Sequence, residues 1–321
     1  LRAPPTRDRQ ALVSYIRGRR LLDTSDDPKT DKQAVDAFQD AINRDSSFAF
    51  AYAGLSQAYW STSKHTGDRS WLDRARDAAT HAEAIDSKCD QAQVALSLVS
   101  RDLGRRSDAV SQAKRASTLT PDNDDARRVL GLALLSDNQK HAALVELSAA
   151  VERRPHRAVN QYYLGTGMLV GNRNQEAIAP LKKATDLQPH FESAWVNLGM
   201  AYLRVGDWEK SSGSSSRALE LNPNDSSAVN NLAVAHYWDG KYELAVQGFD
   251  KAARLNPGLA VRHMNLGDAL DAVGRSQEAR QAYARAVALA TAELRKQFDT
   301  TNAGIAAKSE AKLGRKAEAE R

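Results

Sequence analysis

Trp195-Val-Asn-Leu-Gly-Met-Ala-Tyr202 is the stretch of sequence that decides the fold class of this chain. Its large apolar side chains recur three and four residues apart, which is the spacing of a helix that buries one face. Asn-Leu-Gly at 197–199 is followed by Asn-Leu-Ala at 231–233 and Asn-Leu-Gly at 265–267, each 34 residues further along. The sequence therefore predicts an array of 34-residue repeats.

Two further markers keep the same interval and show how each repeat is built. Glycine recurs at 206, 240 and 274, where it can end a helix in the left-handed conformation. Proline recurs at 121, 155, 189, 223 and 257, where it blocks the continuation of a helix. Each period thus contains two helices joined by a turn. Because one such pair cannot bury its apolar stripe alone, we expect neighbouring repeats to stack.

The chain resembles the tetratricopeptide repeat family over about residues 11–321. The family pattern W-x2-L-G-x2-Y is matched by residues 195–202, and its A-x3-F followed by Pro is matched by Ala245-x3-Phe249 with Pro257. The resemblance implies an all-α fold, a right-handed superhelical solenoid of helix-turn-helix repeats without a β-sheet.

The sequence divides into a short linker and one solenoid. Residues 1–10 are interpreted as the linker and residues 11–321 as the solenoid, with eight repeats and a partial ninth. Insertions at Asp23–Thr30 and Ser61–Arg69 are expected to lengthen the turns of the first two repeats, and the last second helix is expected to extend towards Phe298. Because the sequence stops inside a further helix without a polar capping helix, we expect a fragment or a truncated domain. The repeats are placed at about 11–48, 49–89, 90–123, 124–157, 158–191, 192–225, 226–259 and 260–293, with the partial ninth at 300–321.

Composition argues against several classes of function. The net charge is +5, but the basic residues lie in short scattered groups with acids between them, so no nucleic-acid partner is expected. No run of 18 apolar residues occurs, so no membrane span is expected in this segment. The single cysteine, Cys89, excludes an internal disulfide. The sequence leaves the oligomeric state open.

Catalytic and metal-binding motifs are missing from the sequence. The seven histidines include no pair four residues apart, Cys89 has no cysteine partner, and neither Gly-x-Ser-x-Gly nor a phosphate-binding loop occurs. We therefore expect no catalytic residue, no metal, no cofactor and no enzymatic activity.

The candidate binding face lies opposite the packed stripe of each first helix. Successive residues turn by about 100°, and in the tetratricopeptide fold the opposite face lines a concave groove. The earlier repeats are expected to present more apolar side chains on this face, at Ala95, Leu98, Val129 and Leu132. The predicted peptide-binding residues are Tyr163, Thr166, Asn197, Met200, Arg204, Asn231, Val234, Trp238, Asn265 and Asp268.

Asn197, Asn231 and Asn265 allow two interpretations. Each amide offers both donors and an acceptor, so a ladder of them can pair with the backbone of an extended peptide. Such ladders are known in the tetratricopeptide arm of a glycosyltransferase, which this pattern resembles. Alternatively, the amides only join neighbouring helices. The set of residues that clamps a C-terminal carboxylate in this family is not found.

The segment Ser211–Ser216 breaks the repeat pattern, because serines stand where the next repeat has Ala245 and Phe249. A loosely packed helix is the favoured interpretation, and a modified or switchable segment is the alternative.

The function predicted from these features is a protein-interaction scaffold that binds a peptide or a partner protein in the groove. Residues 15–22 and 51–55 are similar to tetratricopeptide regions attached to bacterial serine/threonine kinases, winged-helix regulators and adenylate cyclases. A regulatory or sensor domain of a bacterial signalling enzyme is therefore an alternative, and a substrate-recruiting arm of a transferase is a second one. The resemblance favours a bacterial protein, cytoplasmic or periplasmic.

Overall fold

The computed structural model describes residues 6–24, 28–296 and 299–314, and within these ranges it contains helices and no strand. The all-α fold class is thereby confirmed. The start of the expected linker, Phe298 and the residues after Gly314 lie outside the described ranges. Two compact units are present, Leu1–Phe191 and Glu192–Arg321, and each is described separately.

The helices of the first unit are α1 (Arg9–Thr24), α2 (Pro28–Arg44), α3 (Ala49–Thr66), α4 (Ser70–Ile85), α5 (Asp90–Asp102), α6 (Arg106–Leu119), α7 (Asp124–Ser136), α8 (Lys140–Arg153), α9 (Ala158–Val170) and α10 (Asn174–Leu187). Those of the second unit are α11 (Glu192–Val205), α12 (Trp208–Leu221), α13 (Ser226–Trp238), α14 (Tyr242–Leu255), α15 (Ala260–Ala272), α16 (Ser276–Lys296) and α17 (Thr300–Lys312).

Within each unit, every odd-numbered helix up to α15 packs against the helix that follows it, and successive pairs stack. The odd-numbered helices are called first helices below, and the even-numbered ones second helices. Within each unit, first helices also contact the first helices of adjacent repeats, and the stacked pairs bury apolar side chains between them. The described helices thus form eight pairs and one further first helix, α17.

In the third to eighth repeats, the turn between the two helices depends on one residue in the left-handed conformation. Gly104, Gly206, Gly240 and Gly274 have φ of 76–83°, and Asn138 and Asn172 have φ of 61° at the equivalent positions. Asparagine is the side chain that best tolerates this conformation after glycine. The next backbone N–H then bonds back to a carbonyl of the last helical turn, as Lys241 does to His236 at 2.9 Å. This bond fixes the reversal of the chain.

The two helices of a repeat approach each other at a small residue. A Cβ on Gly131 would lie 2.6 Å from Leu147 Cγ, and one on Gly267 would lie 2.6 Å from Tyr283 Cε1. Such distances are shorter than atoms tolerate, so only glycine permits these contacts. The glycine of the sequence pattern is therefore a packing requirement.

The two insertions differ from their predicted form, because the structure places most of their residues in helices. Asp23 and Thr24 end α1, and residues 28–30 begin α2. Residues 61–66 extend α3 to 18 residues, where α5 has 13. The expected long last second helix is confirmed as far as Lys296.

The serine-rich segment forms α12, and its serines fill the place of larger side chains. Ser215 faces Gly199 where Leu147 and Tyr283 face the glycines of other repeats. The hydroxyls of Ser211 and Ser215 are fully buried and form no hydrogen bond. Because an unpaired buried hydroxyl destabilises the folded state, we expect this helix to contribute less to stability than its neighbours.

We predict that Ser211→Ala and Ser215→Ala each raise the free energy of unfolding by about 1 kcal/mol, because each removes an unpaired buried hydroxyl. Urea denaturation measures the change. Ser214→Ala is the matched control, since the Ser214 hydroxyl donates to the Lys210 carbonyl at 2.8 Å and its loss brings no such gain. Equal changes in all three variants would contradict the prediction.

Candidate functional site

The first helices α11, α13 and α15 carry most of the predicted binding residues, all within the second unit. Equivalent positions on these helices lie 34 residues apart, so Arg204 corresponds to Trp238 and Met200 to Val234. Arg204 is exposed, whereas Asn197, Met200 and Val234 are half-buried. The face is therefore accessible to a ligand at several of the predicted residues.

The predicted asparagine ladder is uneven in the structure. Asn231 is only 5% exposed, and its Nδ2 donates to the backbone carbonyl of Val196 on α11 at 3.3 Å. Asn265 is half-buried, and its Nδ2 donates to Asn230 Oδ1 at 3.2 Å. Asn231 thus joins two first helices, which agrees with the second interpretation of the ladder. Asn265 uses one of its two amide hydrogens for the bond to α13.

Trp238 is the most prominent side chain of this face. It is 60% exposed at the end of α13, and its ring stacks on Trp208, with centroids 5.7 Å apart and planes 16° from parallel. Tyr237 contacts Trp238 edge-on at 5.6 Å and Tyr242 at 5.3 Å. These four rings are called the aromatic cluster. Sequence reasoning found only Trp238, although Trp208 and Tyr242 occupy equivalent positions 34 residues apart.

The opposite end of the same face is ionic. Asp268 is half-buried and accepts hydrogen bonds from the Tyr283 hydroxyl at 2.9 Å and from Lys308 Nζ at 2.5 Å. Lys312 Nζ lies 3.4 Å from Asp271. Two lysines of α17 therefore neutralise two aspartates of α15. Asp268 thus joins neighbouring helices through hydrogen bonds and is also partly exposed at the surface.

Tyr163 and Thr166 belong to α9 in the first unit, and both are half-buried. The guanidinium of Arg128 covers the ring of Tyr163 at 5.5 Å, and the Thr166 hydroxyl donates to the Tyr162 carbonyl at 2.8 Å. Contacts within the protein thus occupy much of both side chains.

The expectation that the earlier repeats present an apolar binding face is wrong. Ala95, Leu98, Val129 and Leu132 are 1–6% exposed and belong to the core. Leu98, Val129 and Leu132 pack in one cluster, with Trp60, Leu135 and Tyr163 against it. Close packing between neighbouring first helices buries these side chains, which the geometry of one isolated helix does not reveal.

An ion network, absent from the sequence analysis, links distant repeats of the first unit. Arg19 of α1 donates to Asp125 of α7 at 3.0 Å. Arg157 donates to Asp125 at 2.9 Å and to Asp23 at 2.5 Å, and Arg128 also pairs with Asp125. Burial opposes ionisation of Asp125, but attraction by Arg128, Arg19 and Arg157 outweighs it and holds its pKa far below the ordinary range.

No group of three or more potential metal ligands is close enough to hold an ion in the part of the chain that the structure describes. Burial raises the pKa of Cys89 to about 12, so its thiol is a poor nucleophile at neutral pH. Among the described residues, none of the helices combines the length and the apolar character needed to span a bilayer.

The sequence of this chain matches models of a known protein family. The tetratricopeptide repeat models match residues 94–158 and 196–260 and, separately, residues 262–292, which together make up about half of the chain. The chain belongs to the tetratricopeptide repeat family. Its fold is that of a protein-interaction scaffold. A comparison with curated protein sequences found no match.

Several solved structures share this tetratricopeptide fold at low sequence identity. PilW, a type IV pilus biogenesis factor, is 20% identical, with a TM-score of 0.58 over 62% of this chain and 92% of its own. The pilF protein of Pseudomonas aeruginosa is 20% identical, with a TM-score of 0.54 over 71% of this chain and 96% of its own. The human IFIT1 dimer with PPP-AAAA is 15% identical, with a TM-score of 0.59 over 98% and 93%. At these identities the likeness shows the fold alone.

We predict that Asn231→Ala lowers the free energy of unfolding by about 1 kcal/mol, because it removes a buried hydrogen bond between α11 and α13. Gln247→Ala, an exposed amide on α14, is the control and should change stability by less than about 0.5 kcal/mol. Urea denaturation of both variants is the measurement. Unchanged stability in Asn231→Ala would contradict a structural role for this amide.

The ion network predicts how the stability of the first unit depends on pH. Because the folded pKa of Asp125 is lowered, its contribution is complete above its unfolded pKa of about 4 and is lost as the pH falls below that value. Asp125→Asn should lower stability at pH 7 by about 3 kcal/mol and weaken the decline below pH 4. Urea denaturation from pH 7 to pH 2.5 measures both effects, and parallel pH curves for the two proteins would contradict the prediction.

Proposed function

We propose that the first-helix face of the second unit binds an extended peptide, with the aromatic cluster as its anchor. The observation that carries this proposal is the exposure of Trp238, 60% in a ring already stacked on a second indole. An aromatic side chain exposed on a predicted binding face favours an interaction surface, since tryptophans dominate the binding energy of many protein interfaces.

The rigidity of the cluster supports this role. Trp208 supports one face of the Trp238 indole, and the edge contact with Tyr237 restricts its rotation. A ligand side chain that packs on a ring already held in place orders few further rotamers, so less binding energy is lost to conformational entropy. An apolar or aromatic side chain of the peptide is the natural occupant.

An amide on the same face can serve the peptide backbone. Asn265 retains a second amide hydrogen, which can donate to a backbone carbonyl. The proposal therefore specifies an extended peptide with an apolar or aromatic anchor residue. Asn231 is left out, because its amide is buried.

Selection of a random twelve-residue peptide library, displayed on phage, against the whole chain tests this function. Synthetic copies of the enriched peptides are then titrated against the parent protein and against Trp238→Ala. Because a truncated anchor tryptophan costs about 2 kcal/mol or more, we expect Kd to rise at least about 30-fold.

Leu244→Ala is the matched control. Leu244 is 46% exposed on α14. It lies about 200° around that helix from Tyr242, so it faces away from the aromatic cluster. Its removal should leave Kd within about two-fold of the parent. Failure to enrich any peptide, or equal affinity of the selected peptides for Trp238→Ala and the parent, would refute the proposed face.

A further inference from the structure

The insertion in the second repeat builds one wall of a cleft in the first unit. It extends α3 beyond the usual length of a first helix, and the extension ends at Gly67, whose φ of +71° other side chains rarely adopt. The added helical turn and the loop after it contribute three of the six residues that line the cleft. The cleft has a volume of about 380 Å³ and is lined by Ser63, Lys64, Arg69, Leu72, Arg101 and Asp102.

Three cationic side chains converge on this cleft from two repeats. Lys64 Nζ lies 3.5 Å from Asp102 Oδ2, and Arg101 Nε lies 3.0 Å from Asp102 Oδ1. Arg69 Nη2 donates to the backbone carbonyl of Asp102 at 3.3 Å, and Arg69 forms no ion pair with any residue in the described ranges. Two of the three cations therefore share a single carboxylate, and the third has none.

The acidic groups nearby are already engaged. Asp102 Oδ2 also accepts from the indole N–H of Trp60 at 2.7 Å. Burial opposes ionisation of Asp102, but Arg101, Lys64 and this hydrogen bond hold its pKa below the ordinary value. Asp68 accepts from the backbone N–H and the hydroxyl of Ser70, both at 2.9 Å, at the start of α4. The cleft thus keeps an excess of positive charge.

Accessibility and size point to the kind of group that fits. Lys64 is 54% exposed, and Arg69 is exposed as well, so both can turn towards a ligand. Arginine forms paired hydrogen bonds with carboxylate and phosphate oxygens, and lysine adds a point charge. The volume lies at the lower end of the range for ligand sites, about 300–1,000 Å³. It accommodates one charged side chain rather than a folded domain.

We propose that this cleft binds an oxyanion carried on a side chain of a partner peptide, either a phosphate or a carboxylate. The chemistry shared by these two groups is a compact anion with several acceptor oxygens. The site is independent of the peptide-binding face proposed above, because its residues belong to the first unit and the aromatic cluster belongs to the second.

The indole N–H of Trp60 reports directly on the cleft, because it donates to Asp102. In ¹H–¹⁵N correlation spectra of the whole chain, Trp60→Phe identifies this signal among those of the five tryptophans. The probes are inorganic phosphate, N-acetyl-phosphoserine amide and N-acetyl-glutamate amide, each titrated at constant ionic strength. We expect a saturable shift of the Trp60 signal with at least one of the two amino-acid probes, while the Trp238 signal stays in place; binding of inorganic phosphate alone would contradict a side-chain ligand.

Lys64→Gln with Arg69→Gln removes two exposed cations from the cleft and should weaken binding of the effective probe at least ten-fold. Arg280→Gln with Arg285→Gln removes the same charge from exposed positions of α16 and should leave binding unchanged. The tighter of the two amino-acid probes identifies the anion, phosphate or carboxylate. The absence of saturable binding by all three probes, or equal losses in both double variants, would overturn the proposal.

Discussion

Close packing of the two helices within a repeat is the contact on which the rest of the structure depends. A large side chain of the second helix fits against a residue without a side chain on the first, as Leu181 does against Gly165 and Tyr283 against Gly267. This contact fixes the separation of the helices and hence the position of every turn. The opposite side of each first helix takes no part in this contact. Where the large side chain is missing, at Ser215, the same geometry survives with buried hydroxyls that form no hydrogen bond.

The burial of this opposite side of the first helices differs between the two units. In the first unit, Arg19 and Asp125 form part of an ion network that ties α1 to later repeats, and neighbouring apolar residues are buried. In the second unit, Asn231 is buried between first helices, whereas Trp238 remains largely exposed. One helical period therefore produces both a cross-linked interior and an exposed aromatic surface. The difference depends on side chains rather than on the backbone plan.

The fold could be predicted from the sequence because its determinants are local and periodic. Gly206 and its equivalents mark the turns in the sequence. Asn138 and Asn172 adopt the same left-handed conformation, but an asparagine is a weaker sequence signal for a turn than a glycine. The site was harder to predict, since burial on one face depends on neighbours in other repeats. The pairing of Arg157 with Asp23 spans 134 residues, and no periodicity indicates it. Sequence reasoning reached the aromatic cluster only through Trp238, because Trp208 and Tyr242 lie on second helices, away from the face that the pattern of the first helices predicts.

The lengthened α3 has a consequence for how such a protein changes over time. Its extra turn is added at the C-terminal end of the helix. The residues before it pack on α4 in the usual way, since the Ser56 hydroxyl donates to the Ala75 carbonyl as Ser97 does to Ala109 in the next repeat. A length change at this point is absorbed locally, and the following repeats retain their 34-residue period. Helix ends beside a left-handed turn are thus places where a repeat array can acquire new side chains without a cost to its neighbours. Evolution can in this way vary one module while the others keep their packing.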